Sequence, residues 1–416
     1  MSINKDLVVV TGLGAITPLG GNVSSTWSAM LAGKSGVRQL TESWASELPV
    51  EIAAPAAADP ATVLQPLQLR HLDRCEQLAL IAAREAWQDA GAPQVEPERL
   101  GVSVSSGVGG LGSTLDNYDA LREKGWRRVS AFAVPKLLVN GPAAWIGIEL
   151  GARAGVHTTV SACASGAEAI GHGIQMIRSG QADVVIAGGT DAPILPLTIA
   201  AFAVIRALSV RNDAPERASR PFDKSRDGFV LGEGAGMVVL ESAAQAIRRG
   251  AVVHAVAAGV GYSADAYHIT RVEPDGAGSA LAIRRALADA RAAPEQVGHI
   301  NAHATSTPSG DCAEAGAIRQ TLGAATGGAV VSATKSMTGH LLGATGAVES
   351  IAAICALRDG IAPPTINLED PGEEVTTAGI QVGTEPRELR NEPGLVVLNN
   401  SFGFGGHNVA LAFTAL

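Results

Sequence analysis

Basic residues are in the minority: 31 Lys and Arg against 40 Asp and Glu, a formal net charge of −9. That balance excludes a general nucleic-acid binder and leaves room only for a local basic patch facing an acidic partner. Cysteine is scarce, with Cys75, Cys163, Cys312 and Cys355 alone and no C-x-x-C pair, which excludes a disulfide scaffold and fits reduced thiols in a cytosolic protein. Long apolar runs are missing as well. The longest near-apolar stretch, LPLTIAAFAVI (195–205), stops at Arg206 and is too short to span a bilayer. The opening MSINKDLVVVTGLG has neither an extended apolar region nor a small-residue cleavage site, so a cytoplasmic protein that does not enter membranes is expected. The nucleotide signatures fail too. TGLGAITPLG has Thr17 where a dinucleotide loop needs its third glycine, and there is no G-x-x-x-x-G-K-[ST] loop and no G-x-S-x-G elbow.

What is present is a well-buried α/β chain. Of the 416 residues 46% are hydrophobic and 17% charged, and one core rarely grows past about 250–300 residues, so two core units are expected. Aromatics are only 4% while glycines number 49, a composition that packs backbones closely. A buried strand and tight turn are read at 6–14, strand-then-loop segments at 100–110, 299–308 and 328–336, buried strands at 182–189 and 234–242, and strand, glycine loop, strand over 393–413. A helix over 78–91 stops at Gly91. Residues 212–228 and 371–377 read as polar, proline-containing loops. Strands alternating with helices give α/β layers.

One internal match organises the chain. ASGAEAI (164–170) leads to RSG (178–180), and ATGAVESI (344–351) leads to RDG (358–360), both at an offset of 180 residues. In a chain rich in alanine and glycine this reads either as coincidence or as a duplicated fold whose equivalent helices meet in the middle. In the second copy Gly343 stands where the first has Cys163. The halves are placed at 1–250, with that cysteine, and 251–416.

Cys163, in SACASGAEAI, falls at a strand-to-helix junction among small residues. Amide groups at a helix start stabilise a thiolate, so a lowered thiol pKa and a nucleophilic role are expected there. Cys355, inside IAAICAL, reads as an inert buried thiol. Two of the nine histidines, His303 in NAHATSTPSGD and His340 in TKSMTGHLLGATG, sit after strands among small and hydroxyl residues. His299 and His303 share a strand face without a carboxylate motif, so no metal site is read there. Lys335 and Glu349 near His340 are either a structural ion pair or a device that holds His340 in one tautomer. NNSFGFGGHN (399–408) is either a plain hairpin or a loop whose backbone N–H groups hold an oxyanion.

These blocks, with VVVTGLGAITPLG and SRPFDKSRDGFVLGEGAG, resemble the elongating β-ketoacyl-acyl-carrier-protein synthases, and the likeness, closest to actinobacterial members, covers nearly the whole chain. The resemblance implies a thiolase-like fold, two βαβαβ halves stacked in five layers (αβαβα), and no metal or organic cofactor. It implies Cys163 as the acyl-accepting nucleophile and His303 and His340 as donors to the malonyl thioester carbonyl. Lys335 would order the site and Glu349 support its hydrogen bonds. The N–H groups of Cys163 and Phe404 would form the oxyanion hole, with Phe404 the acyl gate and Val108 the limit of acyl depth. Phe402, Gly403, Thr305 and Thr307 would line the substrate path. The implied partner is an acyl carrier protein, acyl- or malonyl-loaded. For it the basic stretch REKGWRR (122–128), with Lys124, Arg127 and Arg128, together with Arg70, Arg74 and Arg206, is either a landing patch or an ordinary solvated surface. The assembly expected is a homodimer, or a heterodimer with a chain-length-factor homologue if the pathway makes polyketides. Two positions depart from the family pattern: Ala304, where H-G-T is usual, and His407, where G-G-T-N is usual. A degradative thiolase would need a second cysteine in the C-terminal glycine loop, and GFGGHN has none.

Overall fold

The computed structural model describes residues 7–416; the opening Met1–Asp6, and with it the start of the strand read from residue 6, lies outside that range. Eleven strands run side by side, and their order repeats. In the first half the sequence from the edge inward is Gly155–His157, Leu100–Ser105, Val184–Asp191, Gly234–Ser242, Val8–Ile16. In the second it is Val330–Ser332, Val297–Asn301, Val396–Gly403, His407–Thr414, Ala255–Ala264, with Gln381–Val382 added outside. Both sets pair parallel, parallel, antiparallel, antiparallel in that order. The halves meet through two antiparallel pairs, Val9 with Val256 and Val10 with Ala255.

Strand periodicity creates the layers, because successive side chains leave opposite faces of a sheet. Along Gly234–Ser242, Val238 and Leu240 enter the central core while Met237 and Val239 enter the outer core of the first half. Along His407–Thr414, Val409, Leu411 and Phe413 face the centre and Ala410 and Ala412 the outer core of the second half. Helices Arg74–Asp89 and Gly141–Leu150 cover one outside, Ala277–Asp289 and Pro308–Leu322 the other. Between the sheets lie the twin helices Ser165–Arg178 and Thr345–Asp359. The result is αβαβα.

The twin helices bear out the duplication in detail. Each follows a 3-10 turn, Ala162–Ala164 or Leu342–Ala344, and each turn holds its first residue at positive φ, 50° for Ala162 and 47° for Leu342. All of these keep the offset of 180 residues. The helices cross at Gly166 and Gly346, where a Cβ on Gly166 would stand 2.7 Å from Gly343 O and one on Gly346 2.7 Å from Ala167 N. Small residues at the crossing are therefore a steric requirement.

One loop expectation needs correction, and a second loop is as read but partly interior. Residues 373–378 form a short helix, Glu373–Ala378. The segment 212–228 is turn and coil, but its stretch 218–223 is interior: Phe222 is fully buried and Arg220 pairs with Asp223 at 3.0 Å. Arg226 pairs with Asp311 at 3.4 Å and with Glu374 at 2.8 Å. Its charges are buried because they are matched there.

Candidate active site

Cys163 sits in the middle of the turn that starts the first twin helix. Ser165 fixes that turn: its Oγ donates to Ala162 O at 2.7 Å and accepts the Ser161 N–H at 3.0 Å. Opposite stands the hairpin between Val396–Gly403 and His407–Thr414, which reverses direction through Gly405 and Gly406 at φ 86° and 74°. A Cβ on Gly403 would lie 2.4 Å from Ser161 O, so only glycine lets the hairpin approach the turn. The approach brings the N–H of Phe404, together with the N–H of Cys163 itself, to bear on the sulfur.

One cavity of about 280 Å³ collects the expected groups. Cys163, His303, His340, Thr305, Thr307, Phe402, Gly403 and Phe404 all line it, and Arg206 stands among its lining residues. The two imidazoles lie 5.5 Å apart, centre to centre, at 86° to each other. Phe402 packs edge-on to His303 at 5.8 Å and Phe229 to His340 at 5.2 Å. Val108 packs in the same apolar cluster as Cys163 and Leu342.

The charge distribution overturns one expectation. The thiol is not lowered: burial pushes it up to about 11, against the pull of the Lys335 charge and of the Phe404 and Cys163 N–H groups. The side chain is only partly enclosed and opens on the cavity, yet the direction is upward. At rest the group is a thiol, and the amides favour the anion only as it forms. Burial, reinforced by Lys335, holds His303 and His340 well below the ordinary imidazole value. Both rings are neutral at physiological pH, and a neutral imidazole carries one N–H donor.

Lys335 and Glu349 form a fully enclosed pair, with Lys335 Nζ donating to both carboxylate oxygens at 2.8 and 2.9 Å and Thr334 adding a third bond at 3.1 Å. Burial pushes Glu349 up to about 7, opposed by Lys335. The pair does not bond His340. Its Nδ1 meets Thr345 Oγ1 at 3.0 Å, so the residue that orients it opens the second twin helix. The His303 loop is held by Glu314, which accepts the N–H groups of His303 and Ala304 at 2.9 and 2.6 Å and Asn400 Nδ2 at 3.0 Å. Three residues earlier, Asp311 accepts the N–H groups of Ser306 and Phe222. Thr345, Glu314 and Asp311 escape the sequence reading. The signal available for the last two is a pair of acids three apart on an otherwise small-residue helix, directly after the His303 loop.

The remaining expected positions lie apart. Arg70, Lys124, Arg127 and Arg128 are exposed. Arg127 rides over the Trp126 ring at 5.0 Å. Arg74 is tied to Glu233 at 2.5 Å, so its charge is already matched. Ala304 is buried in the outer core and His407 is exposed beside the hairpin. His299 is buried against Ser332 Oγ at 3.0 Å and does not line the cavity. Among the described residues no helix is long and apolar enough to cross a membrane.

Comparison with known proteins agrees with this geometry. Residues 5–246 match the family described as Beta-ketoacyl synthase, N-terminal domain, and residues 254–369 the Beta-ketoacyl synthase, C-terminal domain. The chain is 46% identical over 415 residues to a 3-oxoacyl-[acyl-carrier-protein] synthase 2 of Coxiella burnetii, covering 99% of each. It superimposes with a TM-score of 0.89, at 31% identity and 99% coverage of both chains, on a structure described as a type II PKS acyl-carrier protein in complex with its ketosynthase bound to the hexaketide. A second structure, the ishigamide ketosynthase/chain length factor, gives a TM-score of 0.86 at 32% identity, again over 99% of both chains. With both family domains matched in order and one cavity joining a half-enclosed cysteine to two neutral histidines, the chain belongs to the β-ketoacyl synthase family.

Proposed function

We infer that the chain is a 3-oxoacyl-[acyl-carrier-protein] synthase. It condenses an enzyme-bound acyl group with malonyl-acyl-carrier protein, releasing CO2 and a 3-oxoacyl-carrier product, in type II fatty acid elongation. The observation that carries this reading is the meeting of Cys163, His303 and His340 on one cavity, with two backbone N–H groups turned to the sulfur.

In the first half-reaction Cys163 Sγ attacks the acyl thioester carbonyl. The carbon–sulfur bond to the carrier breaks, and the thiol proton ends on the departing carrier thiol. Charge on the tetrahedral oxygen is held by the N–H groups of Cys163 and Phe404, each such donor being worth about 3 kcal/mol of barrier. In the second, the carboxylate of the malonyl carrier leaves as CO2 and its bonding electrons form an enolate. Neutral His303 and His340 donate to the enolate oxygen, a task for N–H donors and not for a proton-transfer pair. The enolate carbon attacks the acyl-cysteine carbonyl, and the freed thiolate takes a proton from solvent. Lys335 and Glu349 act as positioning residues behind the rings. Phe404 gates the acyl path, Val108 limits it, and Phe402, Gly403, Thr305 and Thr307 line it.

Residues 1–250 and 251–416 are read as the two halves, one bringing the nucleophile and the other both histidines. The acidic carrier lands beside Arg206 at the cavity mouth, with Lys124, Arg127, Arg128 and Arg70 as further contacts; Arg74 contributes less because Glu233 holds it. Such a landing weakens with salt. The cytoplasm is its proposed location, in keeping with four unpaired cysteines. The assembly proposed is a homodimer. The polyketide reading, a ketosynthase paired with a chain-length factor, is favoured by the likeness to the ishigamide complex; purification as a stable heterodimer would select it.

Mass spectrometry after incubation with acyl carrier tests the chemistry. The expected result is one acyl adduct on the wild-type chain and none on Cys163→Ala, with His303→Ala and His340→Ala acylated but unable to condense. An adduct persisting on Cys163→Ala overturns the assignment.

A further inference from the structure

Asp191 closes the strand Val184–Asp191 and is fully buried. Four donors converge on its carboxylate: Ser106 Oγ at 2.6 Å, the Gly107 N–H at 3.0 and 3.2 Å to the two oxygens, the Val108 N–H at 3.2 Å and the Gly343 N–H at 2.6 Å. They come from two separate segments, the loop after Leu100–Ser105 and the turn Leu342–Ala344. Each segment carries an apolar side chain that packs beside Cys163, namely Val108 and Leu342. Leu342 also lines the cavity. The space between the segments is full: a Cβ on Gly107 would stand 2.9 Å from Asp191 Oδ2 and 3.6 Å from Ala162 O, in the cysteine's own turn.

We propose that Asp191 is a positioning residue for acyl-chain selection, a single carboxylate that fixes Val108 and Leu342 relative to each other and to Cys163. An ionised carboxylate is the one side chain of this size with acceptor sites enough for four donors and no donor of its own. A carboxamide must turn an N–H toward one of the two segments, which then moves away. Two walls that shift relative to the sulfur change the fit of the bound chain, and a hydrophobic pocket registers single methylene groups. The inference rests on Cys163 being the acylated residue and adds what sets the shape of the pocket beside it.

The test compares full-length wild type with Asp191→Asn. Cys163 is acylated from a short and a long acyl carrier and read by mass spectrometry, and alkylated by iodoacetamide, which needs no chain pocket. The long-to-short acylation ratio is expected to change about tenfold, the scale on which apolar pockets discriminate a methylene, while alkylation quickens with loss of the Asp191 charge that helps hold the thiol up, an effect common to both acyl carriers that cancels in the ratio. Ser106→Ala, which removes one donor and leaves the charge in place, is expected to move the ratio the same way by less, and Ser106→Thr to restore it. If Asp191→Asn does not fold, the Ser106 pair decides. An unchanged ratio in folded Asp191→Asn, or in Ser106→Ala where that alone folds, overturns the proposal. Failure of the wild type to acylate at Cys163 would instead remove the reading beneath it.

Discussion

At residue 163 the backbone presents a thiol and leaves its N–H turned toward that sulfur and the cavity beyond. At residue 343, in the twin turn, there is no side chain, and the N–H is spent on the carboxylate of Asp191 at 2.6 Å. Both turns precede a central helix, and both N–H groups sit where a helix start favours negative charge. The difference lies in what the strand opposite brings. The strand Val184–Asp191 ends in an acid that fills the second cradle permanently. The strand Val396–Gly403 ends in a glycine that brings no side chain to the first cradle, the place proposed above for the oxyanion. The second cradle holds its anion as structure, at Asp191, and the first holds none.

The strongest way to break this comparison is to make the second turn like the first. In Gly343→Cys the new Cβ would lie 2.5 Å from Gly107 N and 2.7 Å from Asp191 Oδ2, in surroundings that are themselves backbone or fully bonded. Overpacking of that kind costs about 3 kcal/mol or more, and chemical denaturation should read at least that loss without a second reactive thiol. A Gly343→Cys chain as stable as the wild type would show that the second turn is not filled as described.

The next change severs the help the second half lends the first. Lys335 supplies the largest pull against the raised thiol and also holds both imidazoles down. Lys335→Met removes that pull, so the thiol moves further up and the imidazoles move toward their ordinary value. The sign for reactivity follows: alkylation of Cys163 at neutral pH slows, about tenfold for each unit the thiol rises, and its pH profile shifts to higher pH. Glu349 loses its cation, and breaking one side of such a buried pair costs about 3–5 kcal/mol. A profile midpoint that stays put, measured with iodoacetamide, would remove Lys335 from the electrostatic account.

A milder pair of variants probes the crossing. Gly166→Ala and Gly346→Ala each place a methyl group 2.7 Å from backbone of the opposite element. Each is expected to destabilise by about 1–3 kcal/mol. The double variant should cost less than the sum, because helices already forced apart meet the second methyl more loosely. Strict additivity would mean that the two glycines do not share one contact.

The repeat of ASGAEAI and ATGAVESI was legible because helix crossings admit few residues, and a crossing used twice leaves the same letters twice. That Cys163, His303 and His340 stand apart from the core was legible for a related reason, since polar groups among small neighbours look unlike core, and the three line one cavity. Less visible were residues whose partners lie far along the chain. Asp191 is 152 residues from Gly343, and nothing local marks it as the occupant of a cradle. Arg226 and Asp311 look solvated in sequence and are buried because each finds the other. The direction of the thiol shift was misread for the same reason: the helix start is local and readable, whereas the burial that outweighs it is assembled from the whole molecule.

The finest test lies at the first residue of each twin helix. Ser165 and Thr345 are equivalent by the repeat, yet Ser165 bonds its own turn, to Ser161 and Ala162, while Thr345 bonds His340 Nδ1. The hydroxyl in the first copy holds backbone; in the second it meets a ring that lines the cavity. Ser165→Ala should therefore lower stability by about 1 kcal/mol, the scale of a lost side-chain bond at a helix start, and disturb acylation only through the turn. Thr345→Val keeps the shape and removes the hydroxyl. Acylation of Cys163 should persist while condensation falls about tenfold, the cost of a loosened donor being near 1.4 kcal/mol of barrier, and Thr345→Ser should restore it. The two effects fall on different half-reactions although the positions correspond. If Thr345→Val slowed acylation and condensation equally, the hydroxyl would be holding the turn as Ser165 does, and the division of labour between the copies would lie elsewhere.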